Sequence, residues 1–197
     1  DKNTLAKLKI KCIVLKHPSI RERMDYAEEI NYIVAKESRN KFILDLCKTI
    51  SGNTLCLFQL VEKHGKILHD GMKGGENVYF VYGGTDTEQR EKIRGLVEGH
   101  KNSTTIASYG TFSTGINIRN INNIVLASPS KSKIRVLQSI GRGLRTSSTK
   151  DSILIFDIAD DISYKERRNF TLNHFFERIN IYNEEQFNYE ISKVKIK

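Results

Sequence analysis

The residues with the clearest capacity for chemistry lie in the stretch QSIGRGLRT, Gln138 to Thr146. On a helix, Gln138, Arg142 and Arg145 stand at i, i+4 and i+7 and project from one face. Gly141 and Gly143 flank Arg142, and each costs about 1 kcal/mol relative to alanine in a helix interior. That cost makes sense where something approaches the backbone closely. Between Lys101 and Lys150 there are eight Lys or Arg and no Asp or Glu, so neither arginine has a carboxylate nearby in the chain. Planar, permanently charged guanidinium forks suit a triphosphate, whose charge spreads over its oxygens in the transition state. A solvated helix end carrying two exposed arginines is the plainer reading of the same residues.

Two other stretches carry glycine or hydroxyls after a strand-like run. In VYGGTDTEQR, Gly83 and Gly84 let the backbone pass close to a ligand, and Thr85 or Asp86 is placed to cap the helix that follows. A helix start with free N–H groups suits phosphate, and a plain strand-to-helix turn fits equally well. In TTIASYGTFSTGINIRN, the hydroxyls of Thr111, Ser113 and Thr114 accompany Gly115 and Arg119 without an acid. Amides and hydroxyls of this kind hold a nucleic-acid backbone without reading bases. Ligands of open parallel sheets gather at the carboxyl ends of strands, and all three stretches are expected there.

Other candidates weigh less. Cys12, Cys47 and Cys56 show no CxxC spacing and read as buried free thiols. His64 and His69 are five apart, off the spacing of a helical metal pair, so no metal site is expected. FDIADD, with Asp157, Asp160 and Asp161, reads as a capped turn rather than a metal site.

The elements that must position these residues follow from hydrophobic periodicity. KLKIKCIVLK alternates Lys with apolar residues and reads as a strand with one wet face. A helix is expected from about Asp25, continued by SRNKFILDLCKTI with Ser38 as its N-cap and Phe42, Leu46 and Ile50 along one face. TLCLFQ, NVYFVY, STTIASY, NNIVLAS and DSILIFDIA then read as strands. They alternate with helical LVEKHGKILHDGM, TDTEQREKIRGLVEG and SKIRVLQSIGRGL, and ERRNFTLNHFFERINIYNEEQF with YEISKVKI ends the chain. This alternation is the signature of crossover units around a parallel sheet, an α/β fold. The simplest division is one α/β domain over 39–161, an N-terminal strand and linking helix over 1–38, and a C-terminal helix and strand over 162–197.

Composition agrees with a folded, nucleic-acid-facing chain. Of 197 residues, 39% are hydrophobic and 28% charged, with a net charge of +9. Nearly all of the excess sits between Lys101 and Lys150, which points to a polyanion partner. No apolar run approaches the roughly 18 residues of a membrane span, so no membrane partner is expected. The chain begins at Asp1 rather than Met, as a piece of a longer protein would.

Taken in order, these stretches resemble the second RecA-like domain of superfamily 2 helicases. QSIGRGLR is similar to motif VI, Q-x-x-G-R-x-x-R, and IASYGTFSTGIN to motif V. VYGGTDTEQR has the glycine and the arginine seven residues on, Gly83 and Arg90, and TLCLFQLVEKHGKIL stands where motif IV belongs. The resemblance spans Arg39 to Asp160 and implies a RecA-like parallel sheet flanked by helices. Its wording is nearest to the phage recombination-repair branch, which remodels branched DNA and implies the host cytoplasm.

Roles follow from the resemblance position by position. Arg145 corresponds to the arginine finger on the γ-phosphate and Arg142 to its companion, with Gln138 orienting the motif. Gly115 and Asn117 lie near the nucleotide, while Gly83, Gly84, Thr111 and Arg119 meet the nucleic-acid backbone. Asn117 stands where the family usually has Asp, and it hydrogen-bonds without bringing a negative charge. No G-x-x-x-x-G-K-[ST] and no D-E-x-[DH] occurs in the chain. ATP and Mg²⁺ are therefore expected on a first RecA-like domain of the same protein, which is a partner together with branched or single-stranded DNA. A non-catalytic nucleic-acid-binding module, or the motor part of a restriction or translocating complex, remains the alternative. The isolated chain is predicted to release no phosphate from ATP in a colorimetric assay; a robust rate would place the site elsewhere.

Overall fold

Strand positions in this chain are chosen by burial. All six residues of β2, Asn53–Phe58, are buried, as a strand covered on both faces requires. β1, Leu8–Lys16, alternates instead: Leu8, Ile10, Cys12 and Val14 are buried, while Lys9 and Lys11 face solvent. A computed structural model describes residues 8–113, 120–146 and 152–197, with the backbone alone at 113, 145 and 146.

Between these strands the chain forms α1 (Tyr26–Ala35) and α2 (Glu37–Thr49). Asp25 and Glu28 make a reciprocal capping box that starts α1. Ser38 is not the cap of α2, which begins after the extended Lys36; its hydroxyl donates instead to the Lys197 carbonyl at 2.6 Å. After β2, a π-helical turn at Val61–Gly65 leads into α3, Lys66–Gly71. Gly65 is required in that turn, because a Cβ there would lie 2.5 Å from the Phe58 ring. The remaining elements are β3 (Val78–Val81), α4 (Thr87–Glu98), β4 (Ser103–Ser108), α5 (Tyr109–Ser113), β5 (Asn123–Leu126), α6 (Lys133–Thr146), β6 (Ile153–Asp161), α7 (Phe170–Glu184) and β7 (Asn188–Lys195).

The seven strands form one sheet in the order β3-β4-β2-β5-β6-β1-β7, parallel throughout. Ile93 of α4, Leu137 and Ile140 of α6 and Phe175 of α7 pack on one face with Ile10, Leu55 and Ile155. Ile43 of α2 and Leu68 of α3 cover the other with Cys56, Val125 and Phe156. The segments read as extensions belong to this sheet. β1 pairs with β6 from Leu8–Ile153 to Lys16–Asp161, and β7 pairs with the outer side of β1. Glu29 of α1 caps α7, accepting the amides of Phe170 at 3.0 Å and Thr171 at 2.7 Å. Cys12, Cys47 and Cys56 are buried free thiols, and no described helix is long and apolar enough to cross a membrane.

FDIADD is strand as far as Asp161, not a turn, because two of its carboxylates are buried in ion pairs. Asp157 accepts from Lys133 Nζ at 3.1 Å, Arg178 Nε at 2.9 Å and the Tyr182 hydroxyl at 2.6 Å. Asp160, three residues on and so on the opposite face, accepts Arg39 Nε at 2.7 Å and contacts His17 Nε2 at 2.7 Å. Burial opposes ionisation of Asp157, but Arg178 and Lys133 outweigh it and hold the carboxyl well below its usual range. Only Asp161 takes the turn role, accepting from the Ser163 amide and hydroxyl.

His64, in the π-helical turn, ties β2 to the loop after β5. The Asn40 amide nitrogen donates to the Val34 carbonyl, so its Oδ1 accepts from His64 Nε2 at 2.9 Å. Ser128 Oγ accepts the Gln59 amide and donates to His64 Nδ1. The ring is therefore neutral and doubly bonded. Burial, with Arg39 adding to it, brings its pKa from 6.5 down to about 3.

Two predictions follow from these buried groups. Asp157→Asn leaves two cations uncompensated and should cost about 3–5 kcal/mol in urea unfolding, whereas a loss under about 1 kcal/mol would make the cluster incidental. Below pH 6.5 the unfolded state binds a proton that native His64 refuses, so stability is full above that pH and declines towards pH 3. His64→Gln should flatten the fall in Tm between about pH 7 and pH 5; an unchanged slope would assign that fall to other groups.

Candidate functional site

At the carboxyl edge, the chain leaves β3 through Tyr82, Gly83 and Gly84. Thr85 N–H donates to the Tyr82 carbonyl at 3.0 Å, and Thr85 Oγ1 accepts the Tyr82 amide at 3.1 Å. Asp86, rather than Thr85, caps α4 by accepting the Gln89 amide at 2.7 Å. Arg90 reaches back from α4 and donates to the carbonyls of Gly83 at 3.0 Å and Tyr82 at 3.3 Å. This arginine clamps the turn. Both glycines are exposed; among the described residues Gly83 has nothing within 4 Å of a Cβ position, whereas a Cβ on Gly84 would lie 2.5 Å from the Tyr82 ring. A ligand backbone has room at Gly83, and at Gly84 the room is already taken by Tyr82.

Thr111 sits nearby on α5 but is buried, its hydroxyl 2.7 Å from Ser108 Oγ. Gly115, Asn117 and Arg119 lie outside the described residues. The amino edge just beyond them is fastened by asparagines whose role the sequence reading missed. Asn53 Nδ2 donates to the His100 carbonyl at 2.8 Å and the Asn120 carbonyl at 3.0 Å. Asn122 Oδ1 accepts the Asn53 amide at 2.8 Å, and Asn123 Nδ2 donates to the Ser51 carbonyl at 2.8 Å. These amides satisfy backbone groups that the strand ends leave over. The run NINN in the sequence was the available signal.

The arginine stretch is not at the carboxyl edge with the other two. A helix joining two parallel strands must return from the carboxyl edge to the amino edge. α6 starts at Lys133, and Arg142 lies nine residues on, about 13 Å along the axis at 1.5 Å per residue. Arg142 is exposed and lines a cavity of about 250 Å³ with Gln138, Gly141, Glu185 and Phe187. Phe187 directly precedes β7, whose first residue pairs with Lys9 near the start of β1, so the cavity lies at the amino edge. Arg145 is in the last turn of α6, and its side chain lies outside the described residues.

The fold thus brings a carboxylate, Glu185, onto the cavity of Arg142, although none is near it in sequence. Only the Phe187 ring meets a Cβ position at Gly141, at an ordinary 3.6 Å. Alanine fits there, so no close approach among the described residues accounts for that glycine. Lys133, counted with the basic stretch, is buried at the start of the helix and neutralised by Asp157. Burial lowers its pKa to about 8 against the pull of Asp157. It is not available to a polyanion, and among the described residues the exposed cations of α6 are Arg135 in its first half and Arg142 in its second.

Comparison with known proteins places this geometry. The family model described as helicase conserved C-terminal domain matches residues 30–147. The chain is 36% identical over 210 residues to the ATP-dependent DNA helicase uvsW of Enterobacteria phage T4, an alignment covering 98% of this chain and 42% of that protein. It is similar in fold to the crystal structure of T4 UvsW, with a TM-score of 0.82 over 96% of this chain and 42% of that one. The C-terminal domain of the DEAD-box protein Dbp5 shares the fold at 12% identity, with a TM-score of 0.58 over 99% of this chain and 92% of the other. The chain spans well under half the length of its T4 relative.

Proposed function

The chain belongs to the helicase conserved C-terminal domain family, and from that premise we propose that it is the C-terminal motor half of an ATP-dependent DNA helicase that remodels branched DNA. The observation that carries the reading is the separation of two sets of groups. Arg142 is exposed at the amino edge, and the open Gly83 turn stands at the carboxyl edge. One edge meets nucleotide and the other nucleic acid, so a single rigid sheet links the two.

On this reading residues 39–161 are the RecA-like motor unit, and 1–38 and 162–197 are additions built onto its sheet. Among the described residues no group of His, Cys, Asp or Glu could hold a metal ion. The side chains α6 offers at this edge are an amide and guanidinium groups, which fit phosphate oxygens rather than Mg²⁺. ATP and Mg²⁺ are accordingly assigned to the N-terminal RecA-like domain of the same protein, ATP supplying the phosphoryl group that is transferred to water. Arg145 reaches the γ-phosphate and Arg142 accompanies it, offsetting the charge that develops on the phosphoryl oxygens. Gln138 orients this face, and Gly115 and Asn117, outside the described residues, are assigned to the nucleotide by the same reading.

Gly83, Gly84, Thr111 and Arg119 are assigned to the DNA side, which holds the backbone without reading sequence, with Gly83 as the open approach and Gly84 making way for the Tyr82 ring. Thr111 contributes through the shape of the loop it anchors at Ser108 and not through an exposed hydroxyl. Closing of the two motor halves brings the arginines to the nucleotide, and opening releases them, which steps the carboxyl edge along one strand. The place of action is the cytoplasm of the host cell. In the full-length protein, Arg145→Ala should lower ATP turnover by about 10³-fold or more while DNA binding holds. Unchanged turnover would overturn the motor reading in favour of a non-catalytic nucleic-acid-binding module.

A further inference from the structure

We propose that the turn between α7 and β7 positions the arginine-bearing half of α6 through Phe187, and so sets the rate of ATP turnover. The inference rests on Arg142 acting at the nucleotide. α6 is held at two points by one C-terminal segment. At its start, Lys133 shares Asp157 with Arg178 and Tyr182 of α7. Near its end, the Phe187 ring lies 3.6 Å from the Cβ position of Gly141, next to Arg142.

The turn that carries Phe187 is itself fixed. Glu185 N–H donates to the Ile181 carbonyl at 2.8 Å, and Phe187 N–H to the Tyr182 carbonyl at 2.9 Å. Gln186 between them has φ +58°, a left-handed backbone that a non-glycine residue keeps only where its surroundings hold it. The Phe187 ring packs 6.2 Å from the Tyr182 ring, centroid to centroid. One side chain, Tyr182, therefore touches both supports of α6: its hydroxyl is on Asp157 and its ring on Phe187.

The two supports have unequal leverage on Arg142. Leu137, Ile140 and Leu144 seat α6 on the sheet, and Phe187 sets the fine position of its end: a tilt of about 5° about Lys133 carries Arg142, about 13 Å along the helix, about 1 Å sideways. A misplacement of that size costs about 10²-fold in rate. The 250 Å³ cavity bounded by Gln138, Arg142, Glu185 and Phe187 is the space into which the helix end would move. Phe187 closes one side of it. It touches no nucleotide and acts only through α6.

The test uses the full-length protein, with ATP turnover stimulated by forked DNA, DNA affinity and Tm measured for each variant. Phe187→Ala, assayed well below its Tm, should lower kcat by about 30-fold or more with KM for ATP and DNA affinity within about two-fold. Phe187→Tyr should recover kcat to within about three-fold, and Phe187→Leu, which keeps more of the ring's bulk than alanine, should fall between. Phe175→Leu on α7, in the same core but away from Gly141, should lower Tm and keep kcat. Wild-type kcat in Phe187→Ala, or an equal kcat loss in Phe175→Leu at matched Tm, would overturn the proposal. Arg142→Ala separates the layers: if it keeps turnover, the nucleotide role of α6 fails; if it loses turnover and Phe187→Ala does not, only the positioning fails.

Discussion

One buried carboxylate, Asp157 at the centre of β6, holds the arrangement around α6 together. It joins a strand to two helices through Lys133, Arg178 and Tyr182, all at hydrogen-bond distance. Ions so placed lose their water, and the cluster is tolerable only because each charge meets an opposite one with good geometry. The cluster therefore specifies as much as it stabilises: α6 has one seat on the sheet, and sliding by a residue would strand an ammonium in the core. Asp160 does the same on the opposite face, where Arg39 of α2 and His17 converge. A strand that carries an ion pair on each face is a poor place for slippage.

The placement of Arg142 and Arg145 has an electrostatic logic of its own. They occupy the last turn and a half of α6, where the helix dipole presents its negative end. Cations there are favoured even without a carboxylate beside them, at about 0.3–1 kcal/mol each when exposed. This relieves the crowding of positive charge that the acid-free stretch implies.

The alternation of strands and helices was legible because burial on both faces leaves runs such as SILIFDI almost wholly apolar. The common helical face of Gln138, Arg142 and Arg145 was legible from spacing alone. The edge on which that face lies was not, since it depends on the return direction of a crossover helix rather than on any local signal. The seats of β1 and β7 were equally hidden: periodicity shows that a strand has a wet face but not which strand lies beside it. Asp157 and Asp160 misled because clustered acids usually mark turns, and only partners far along the chain make their burial possible. The helix start near Asp25 was legible, whereas Ser38 looked like a cap and became a tether to Lys197.

The position of β1 bears on how the protein is made. β1 is the earliest described strand to leave the ribosome, yet its partners are β6, starting at Ile153, and β7, starting at Asn188. It must wait, unpaired, until residues 153–195 have been synthesised, and such distant pairing slows folding. Alternating lysines suit a strand that waits, because Lys9 and Lys11 discourage it from joining a neighbouring nascent chain. When β6 and β7 arrive, β1 takes its place between them.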